Sequence, residues 1–191
     1  MNYLVSQIVN FITEQDVISD ESDVQDFYRY GIEISISSLL NIVLVVIAGI
    51  LIHHIIESIV FLSLFILIRS FTGGYHADTY FRCNLLMCTT FILTVLANCM
   101  FSNKLSLSII IVLICVTELI VSVLGPIENK NKPIDDSKKI KLKITGTAMT
   151  SIINCAGLIL RESYLGTMII LTTFLIALLM IAAKIKERGS D

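Results

Sequence analysis

The sequence predicts an all-α, polytopic integral membrane protein with about six membrane-embedded helices and an amphipathic interfacial helix at its N-terminus. Three observations predict it. The chain is 55% hydrophobic and only 16% charged, with a mean hydropathy of +0.83. Its apolar residues come in long runs rather than as the periodic faces of a soluble core. Its charges gather between those runs, where a membrane chain places them. A formal charge of -2 gives no case for nucleic-acid binding, so the partner implied by composition is the lipid bilayer.

Residues 1–30 form the first element. The stretch "MNYLVSQIVNFITEQDVISDESDVQDFYRYG" has no basic residue before Arg29, unlike a secretion signal. Leu4, Ile8, Phe11 and Ile12 recur at helical spacing, and Val5 and Val9 widen the stripe, which suits a helix lying in the cytoplasmic interface. Seven of the 16 acidic residues lie between Glu14 and Glu33, as a solvated face or as partners for the lysines of a later connection.

The remainder, 31–191, reads as a single membrane domain. A bilayer core of ~30 Å needs about 20 helical residues, and six runs qualify: 32–52, 55–71, 84–101, 105–124, 144–160 and 164–183. The second, third and fifth hold about 17 residues each, so they are the runs expected to tilt or re-enter. The first two join through His53-His54 without a turn signal, which makes a tight hairpin there an inference from apolar length alone.

Six spans leave both termini on one side. Of the 14 basic residues, 12 then share that face and only Lys104 and Arg161 fall on the other. The positive-inside rule makes the richer face cytoplasmic, with the connection at 69–84 on it. The fourth connection, "LGPIENKNKPIDDSKKIKLK" within the basic loop 125–143, opens on a helix stop at Gly125-Pro126 and crowds Lys138, Lys139, Lys141 and Lys143 before the fifth span. These lysines set topology and touch anionic lipid, or they dock an acidic peptide.

The stretch 69–84 carries the candidate chemistry. Gly73-Gly74 permits a sharp turn just before His76. On one continuous helix His76 and Cys83 would stand about 10 Å apart along the axis, too far for a hydrogen bond. If Cys83 starts the third membrane helix and His76 lies on a loop folded back by the glycines, imidazole and thiol can meet. The helix N-terminus and Arg82 would then favour negative charge on the sulfur. Two readings stand at this point: a His/Cys pair for nucleophilic chemistry, or an interfacial histidine anchoring a helix beside a buried cysteine. Cys88, Cys99, Cys115 and Cys155 fall inside spans and read as small packing residues. A metal site is poorly supported, because His53 and His54 fall on the opposite face and a zinc site needs three or four ligands.

Together, "RSFTGGYHA" at 69–77 with Cys83 seven residues after His76, and "GPIENKNKP" at 125–133 two spans later, resemble the accessory gene regulator B (AgrB) family of membrane cysteine endopeptidases. The resemblance covers most of the chain. It implies a bacterial cell-membrane enzyme, without cofactor, that cleaves the C-terminal part of an AgrD-like precursor peptide. It further implies that the enzyme helps cyclise the remainder to a thiolactone or lactone signal for quorum sensing. Cys83 matches the family's nucleophile and His76 its partner, and the resemblance suggests that membrane-proximal basic residues, Arg69, Arg82, Lys138, Lys139, Lys141 and Lys143, receive the precursor. Asp78 and Asn84 are candidates to orient the imidazole, and backbone N–H groups near Gly73, Gly74 or Cys83 are candidates for the oxyanion.

Two carboxylates, Glu57 and Glu118, lie inside apolar runs, and Glu118 is expected to hydrogen-bond a neighbouring helix. The alternative function is a non-enzymatic transporter or peptide exporter subunit. It would use Glu118 with Ser35, Ser37, Ser38, Asn41, Thr145, Thr147, Thr150 and Ser151 as a pathway. Small residues Gly146, Ala148, Ala156 and Gly157 allow close helix packing, within one chain or in a homodimer.

Overall fold

The computed structural model describes residues 2–14, 22–73, 80–102, 104–127 and 135–188. These form seven helices and no strand: α1 (Asn2–Glu14), α2 (Ser22–Leu51), α3 (Ile55–Thr72), α4 (Tyr80–Phe101), α5 (Leu107–Leu124), α6 (Asp136–Ile159) and α7 (Tyr164–Arg188). From α2 onward each contains a stretch long and apolar enough to cross a membrane, six in all. The protein is a multi-pass membrane protein. The third and fifth spans are longer than their apolar cores suggest, at 21 and 22 residues, because each helix continues into its charged flank. Arg82 and Cys83 lie inside the first turn of α4, and the lysines from Lys138 to Lys143 occupy the first turns of α6 rather than a loop.

The chain divides into two compact units, Met1–Leu44 and Val45–Asp191. In the first, Val5 and Val9 of α1 are buried with Ile12 against Val24, Ile32 and Ile36 of α2. That contact turns the face centred on positions 5, 9 and 12 inward and leaves Ile8 and Phe11 exposed.

In the second unit α7 is the central helix, packed against α3, α4, α5 and α6. Its span is 56% buried, against 17% for that of α5. The bundle follows membrane rather than aqueous logic. Thr72, Thr90, Thr94, Thr117, Thr150 and Thr172 are buried, whereas large residues such as Ile92, Val112, Leu119 and Ile152 face outward. Each of these threonines donates its hydroxyl to the carbonyl four residues earlier, for example Thr94 to Thr90 O at 2.8 Å and Thr172 to Met168 O at 2.7 Å. A hydroxyl satisfied on its own helix can face another helix without an open polar demand.

Two junctions set the ends of the bundle. Between α2 and α3, His53 takes a positive φ of 60° and the His54 N–H donates to Gly49 O at 2.7 Å, so the expected tight hairpin is present. Between α6 and α7, the Ser163 hydroxyl accepts from Gly166 N–H at 3.1 Å.

Glu118 behaves as the sequence leads one to expect. Its carboxylate accepts from Ser151 Oγ at 2.9 Å and from Asn154 Nδ2 at 2.7 Å, both on α6. Asn154 Oδ1 in turn accepts from Thr173 Oγ1 of α7 at 2.8 Å. One carboxylate thus ties α5 to α6 and, through Asn154, to α7. Among the polar residues named for a pathway, Thr147 and Thr150 donate to carbonyls of their own helix, as does Ser35 on α2.

Candidate functional site

The seam between α3 and α4 is registered by aromatic rings. Phe61 of α3 meets Phe91 of α4 with centroids 5.5 Å apart, and Phe61 also packs on Phe65 at 5.5 Å. One turn further along α3, the Arg69 guanidinium carbon lies 5.4 Å from the Phe65 ring centroid. This cation–π contact holds the guanidinium along the helix face. The two helices run in opposite directions, and equal steps of eight residues lead from Phe61 to Arg69 and from Phe91 back to Cys83. Each step is about 12 Å of helix, so guanidinium and thiol arrive at the same level. Arg69 accordingly reaches Cys83, within range of a side-chain hydrogen bond and a charge interaction.

Cys83 is half-buried in the first turn of α4, with Asn84 buried beside it and Arg82 exposed. Sequence adjacency had pointed to Arg82 as the cation next to the thiol. Arg69 also stands there, from fourteen residues earlier. The signal that could have found it is the antiparallel hairpin itself, in which α3 and α4 residues equidistant from a packed aromatic pair lie side by side.

The second feature joins the two sequence motifs. Gly73 ends α3 with φ 69° and ψ -158°, a backbone region essentially restricted to glycine. The Ile127 N–H donates to Thr72 O at 2.9 Å, and a Cβ on Gly73 would overlap the Ile127 carbonyl. The segment that follows α5, with buried Pro126 after a cis Gly125–Pro126 bond, therefore lies directly against the end of α3. On the other side, a Cβ added to Gly146 of α6 would stand 3.0 Å from Thr72 Cγ2 and 3.4 Å from Phe71 Cβ, so α6 passes close to the end of α3 at this glycine. The glycine motif, the Gly-Pro motif and α6 at Gly146 meet around the end of α3.

Lys138, Lys141 and Lys143 are exposed on α6 near that end, and Lys139 is half-buried. Gly74, His76 and Asp78 lie outside the described residues, as do Lys130 and Lys132. The structure thus brings Arg69, Gly73, Cys83, Asn84 and the segment at 125–127 into one region. An open depression of about 520 Å³ lined by Leu105, Leu107, Ile110, Arg161 and Glu162 lies at the opposite end and belongs to a different surface.

One expectation about the cysteines is corrected. Cys99, Cys115 and Cys155 are exposed on the outside of their helices rather than packed within the bundle. A cysteine is small and apolar enough to face lipid, so its position in an apolar run does not say which way it points.

Comparison with known proteins places this architecture. The family AgrB, accessory gene regulator B, matches residues 5–182. A putative AgrB-like protein from Clostridium perfringens (strain SM101 / Type A) is 27% identical over 145 residues, which cover 72% of this chain and 68% of the relative. A putative AgrB-like protein 2 from Clostridium perfringens (strain 13 / Type A) is 26% identical over the same shares. No solved structure matches.

Proposed function

The chain belongs to the accessory gene regulator B family, and on that footing we propose that it is a membrane cysteine endopeptidase of signal-peptide processing. Its substrate is an AgrD-like precursor, whose C-terminal part it removes and whose remainder it closes into a thiolactone or lactone. The observation that supports the reading is the Arg69 guanidinium beside a half-buried thiol in the first turn of a helix.

The chemistry runs in two acyl transfers. His76 takes the proton of Cys83 as Sγ attacks the scissile carbonyl, and charge on the sulfur is met by the Arg69 guanidinium and by the N-terminal end of α4. Collapse of the tetrahedral intermediate breaks the C–N bond, and the departing amine takes the proton from the His76 imidazolium. Backbone N–H groups around Gly73, Gly74 and Cys83 serve the oxyanion, and Asp78 or Asn84 orients the imidazole. A thiol or hydroxyl within the precursor then attacks the acyl carbon, its proton passing by way of His76 to the released Cys83. With a thiol, one thioester replaces another at little free-energy change, so the ring closes without ATP provided water is excluded.

The basic face carries the rest of the proposal. By the positive-inside rule the end with Arg69, Cys83 and the α6 lysines is cytoplasmic, and both termini share that side. Lys138, Lys139, Lys141 and Lys143 receive the acidic part of the precursor, with Arg82 at the mouth of the site. The test is co-expression of a precursor with the wild type, Cys83→Ala, Cys83→Ser, His76→Ala and Cys88→Ala. Loss of the C-terminal fragment in Cys83→Ala, Cys83→Ser and His76→Ala, with the wild type and Cys88→Ala cleaving normally and all inserted, supports the reading. Cleavage by Cys83→Ala overturns it.

A further inference from the structure

The α3/α4 seam ends in a second cysteine. From Phe61 and Phe91 the chain runs the other way to His54 and Cys99, again by nearly equal steps, and Cys99 stands sixteen residues from Cys83 on α4. That is about 24 Å of helix, close to the thickness of a bilayer core.

Around Cys99 the groups are ordered rather than scattered. Its Sγ lies 3.9 Å from His54 Nε2 and 3.4 Å from Tyr164 Oη. His54 Nδ1 is 2.9 Å from Glu57 Oε1, so with the proton on Nδ1 the Nε2 lone pair faces the thiol. The Tyr164 ring stacks on the imidazole at 6.4 Å and 15°. His54 and Tyr164 are also anchored through their backbones. The His54 N–H is held by Gly49 O and its carbonyl by Ser58 N–H, while the Tyr164 carbonyl accepts from Asn98 Nδ2 at 3.2 Å. The side chains of His54 and Glu57 are 29% and 12% exposed, and Cys99 opens to the surface, so the arrangement is both constrained and reachable. Asn98 is fully buried and its Oδ1 has no partner among the described residues, a free acceptor beside the cluster. The described His, Cys, Asp and Glu residues make no group that could hold a metal ion.

We propose that Cys99 is a second reactive thiol, served by His54 and oriented through Glu57, that accepts acyl groups from thioesters at the end of the bundle opposite Cys83. Amide cleavage is not the fit. Cys99 sits in the last turn of α4, where the negative end of the helix opposes an oxyanion rather than supporting it. Thioester exchange asks less, because the leaving sulfur departs readily and the carbonyl oxygen needs only a donor such as Tyr164 Oη. As Cys99 Sγ attacks the carbonyl carbon its proton passes to His54 Nε2. The new C–S bond forms, the donor's C–S bond breaks, and the departing sulfur takes the proton from the imidazolium. No oxidant or reductant enters. The choice of a thioester as substrate rests on the peptide-cyclising reading above, whereas the reactivity of Cys99 does not.

The test uses the full chain carrying Cys83→Ser, purified in detergent and exposed to a small acetyl-dipeptide benzyl thioester, with adducts located by peptide mass mapping. Acylation of Cys99 is expected to outpace that of free cysteine amide by ~100-fold, the lower end of what a positioned general base supplies. His54→Gln should abolish that advantage, and Glu57→Gln should reduce it by a smaller factor. Should His54→Gln fail to fold, Glu57→Gln and Tyr164→Phe carry the test. Acylation of Cys99 at the free-thiol rate, or at a rate that the folded variants leave unchanged, overturns the proposal. Because Cys83 is absent from the assay, either result is independent of whether Cys83 is the peptidase nucleophile.

Discussion

Replacing Gly73 by alanine tests the junction that unites the two sequence motifs. The backbone there, at φ 69° and ψ -158°, lies in a region that costs a residue with a Cβ about 1–3 kcal/mol. The new methyl group also overlaps the Ile127 carbonyl, and relieving that overlap breaks the hydrogen bond from Ile127 N–H to Thr72 O, worth about 1 kcal/mol. Together these disfavour the closed junction by about 2–4 kcal/mol, or between about 30-fold and several-hundred-fold in its population. Precursor cleavage by purified protein, read as kcat/KM, should fall at least about tenfold, since the displaced turn leads directly into the residues before Cys83. The apparent melting temperature in detergent should drop with it. Gly31→Ala is the matched control: no atom lies within 4 Å of a Cβ added at Gly31, and alanine there raises helix propensity. If Gly73→Ala cleaves and melts like Gly31→Ala, the close approach of residue 127 to the end of α3 is wrong.

Three other perturbations read separate parts of the account. Arg69→Gln should slow alkylation of Cys83 by a soluble maleimide more than Arg69→Lys does, because lysine keeps the charge but not the planar contact with Phe65; equal rates in all three chains would remove Arg69 from the site. Glu118→Leu strands the buried Asn154 amide and should lower stability by about 1–3 kcal/mol in thermal unfolding, with Glu118→Gln milder since it keeps one acceptor, and a leucine variant as stable as wild type would contradict the network. Reversing Lys138, Lys141 and Lys143 to glutamate should raise KM for the precursor by about fivefold per residue, at ~1 kcal/mol each, while kcat holds; the difference should shrink in high salt, and a fall confined to kcat would argue against docking.

What the sequence made legible follows from physics that acts locally. Six apolar spans, the helix stop at Gly125-Pro126 and a short helix at the N-terminus are properties of short segments, and all three are present, although α2, α4 and α6 begin several residues before the runs the sequence marks. The buried carboxylate of Glu118 announced a partner because an acid in an apolar run must find one, although its partners, Ser151 and Asn154, were fixed only by how α5 meets α6. The rest depended on contacts across the hairpins. Arg69 beside Cys83, Ile127 on Gly73, and Cys99 beside His54, 45 residues apart, are invisible to periodicity because lipid-facing and bundle-facing positions are equally apolar here. In a soluble helix the polar face would have betrayed the register. In this one the register is written in a single aromatic pair, Phe61 and Phe91.

The central claim is that Cys83 becomes acylated by the precursor, and intact-mass analysis of rapidly acid-quenched enzyme after mixing with precursor measures that directly. The account expects a hydroxylamine-sensitive adduct on Cys83, equal in mass to the N-terminal part of the precursor less water. It should appear before the cyclic product and be absent in Cys83→Ala. Release of the C-terminal fragment at full rate by Cys83→Ala, with no adduct on the wild-type thiol at any time, would contradict it.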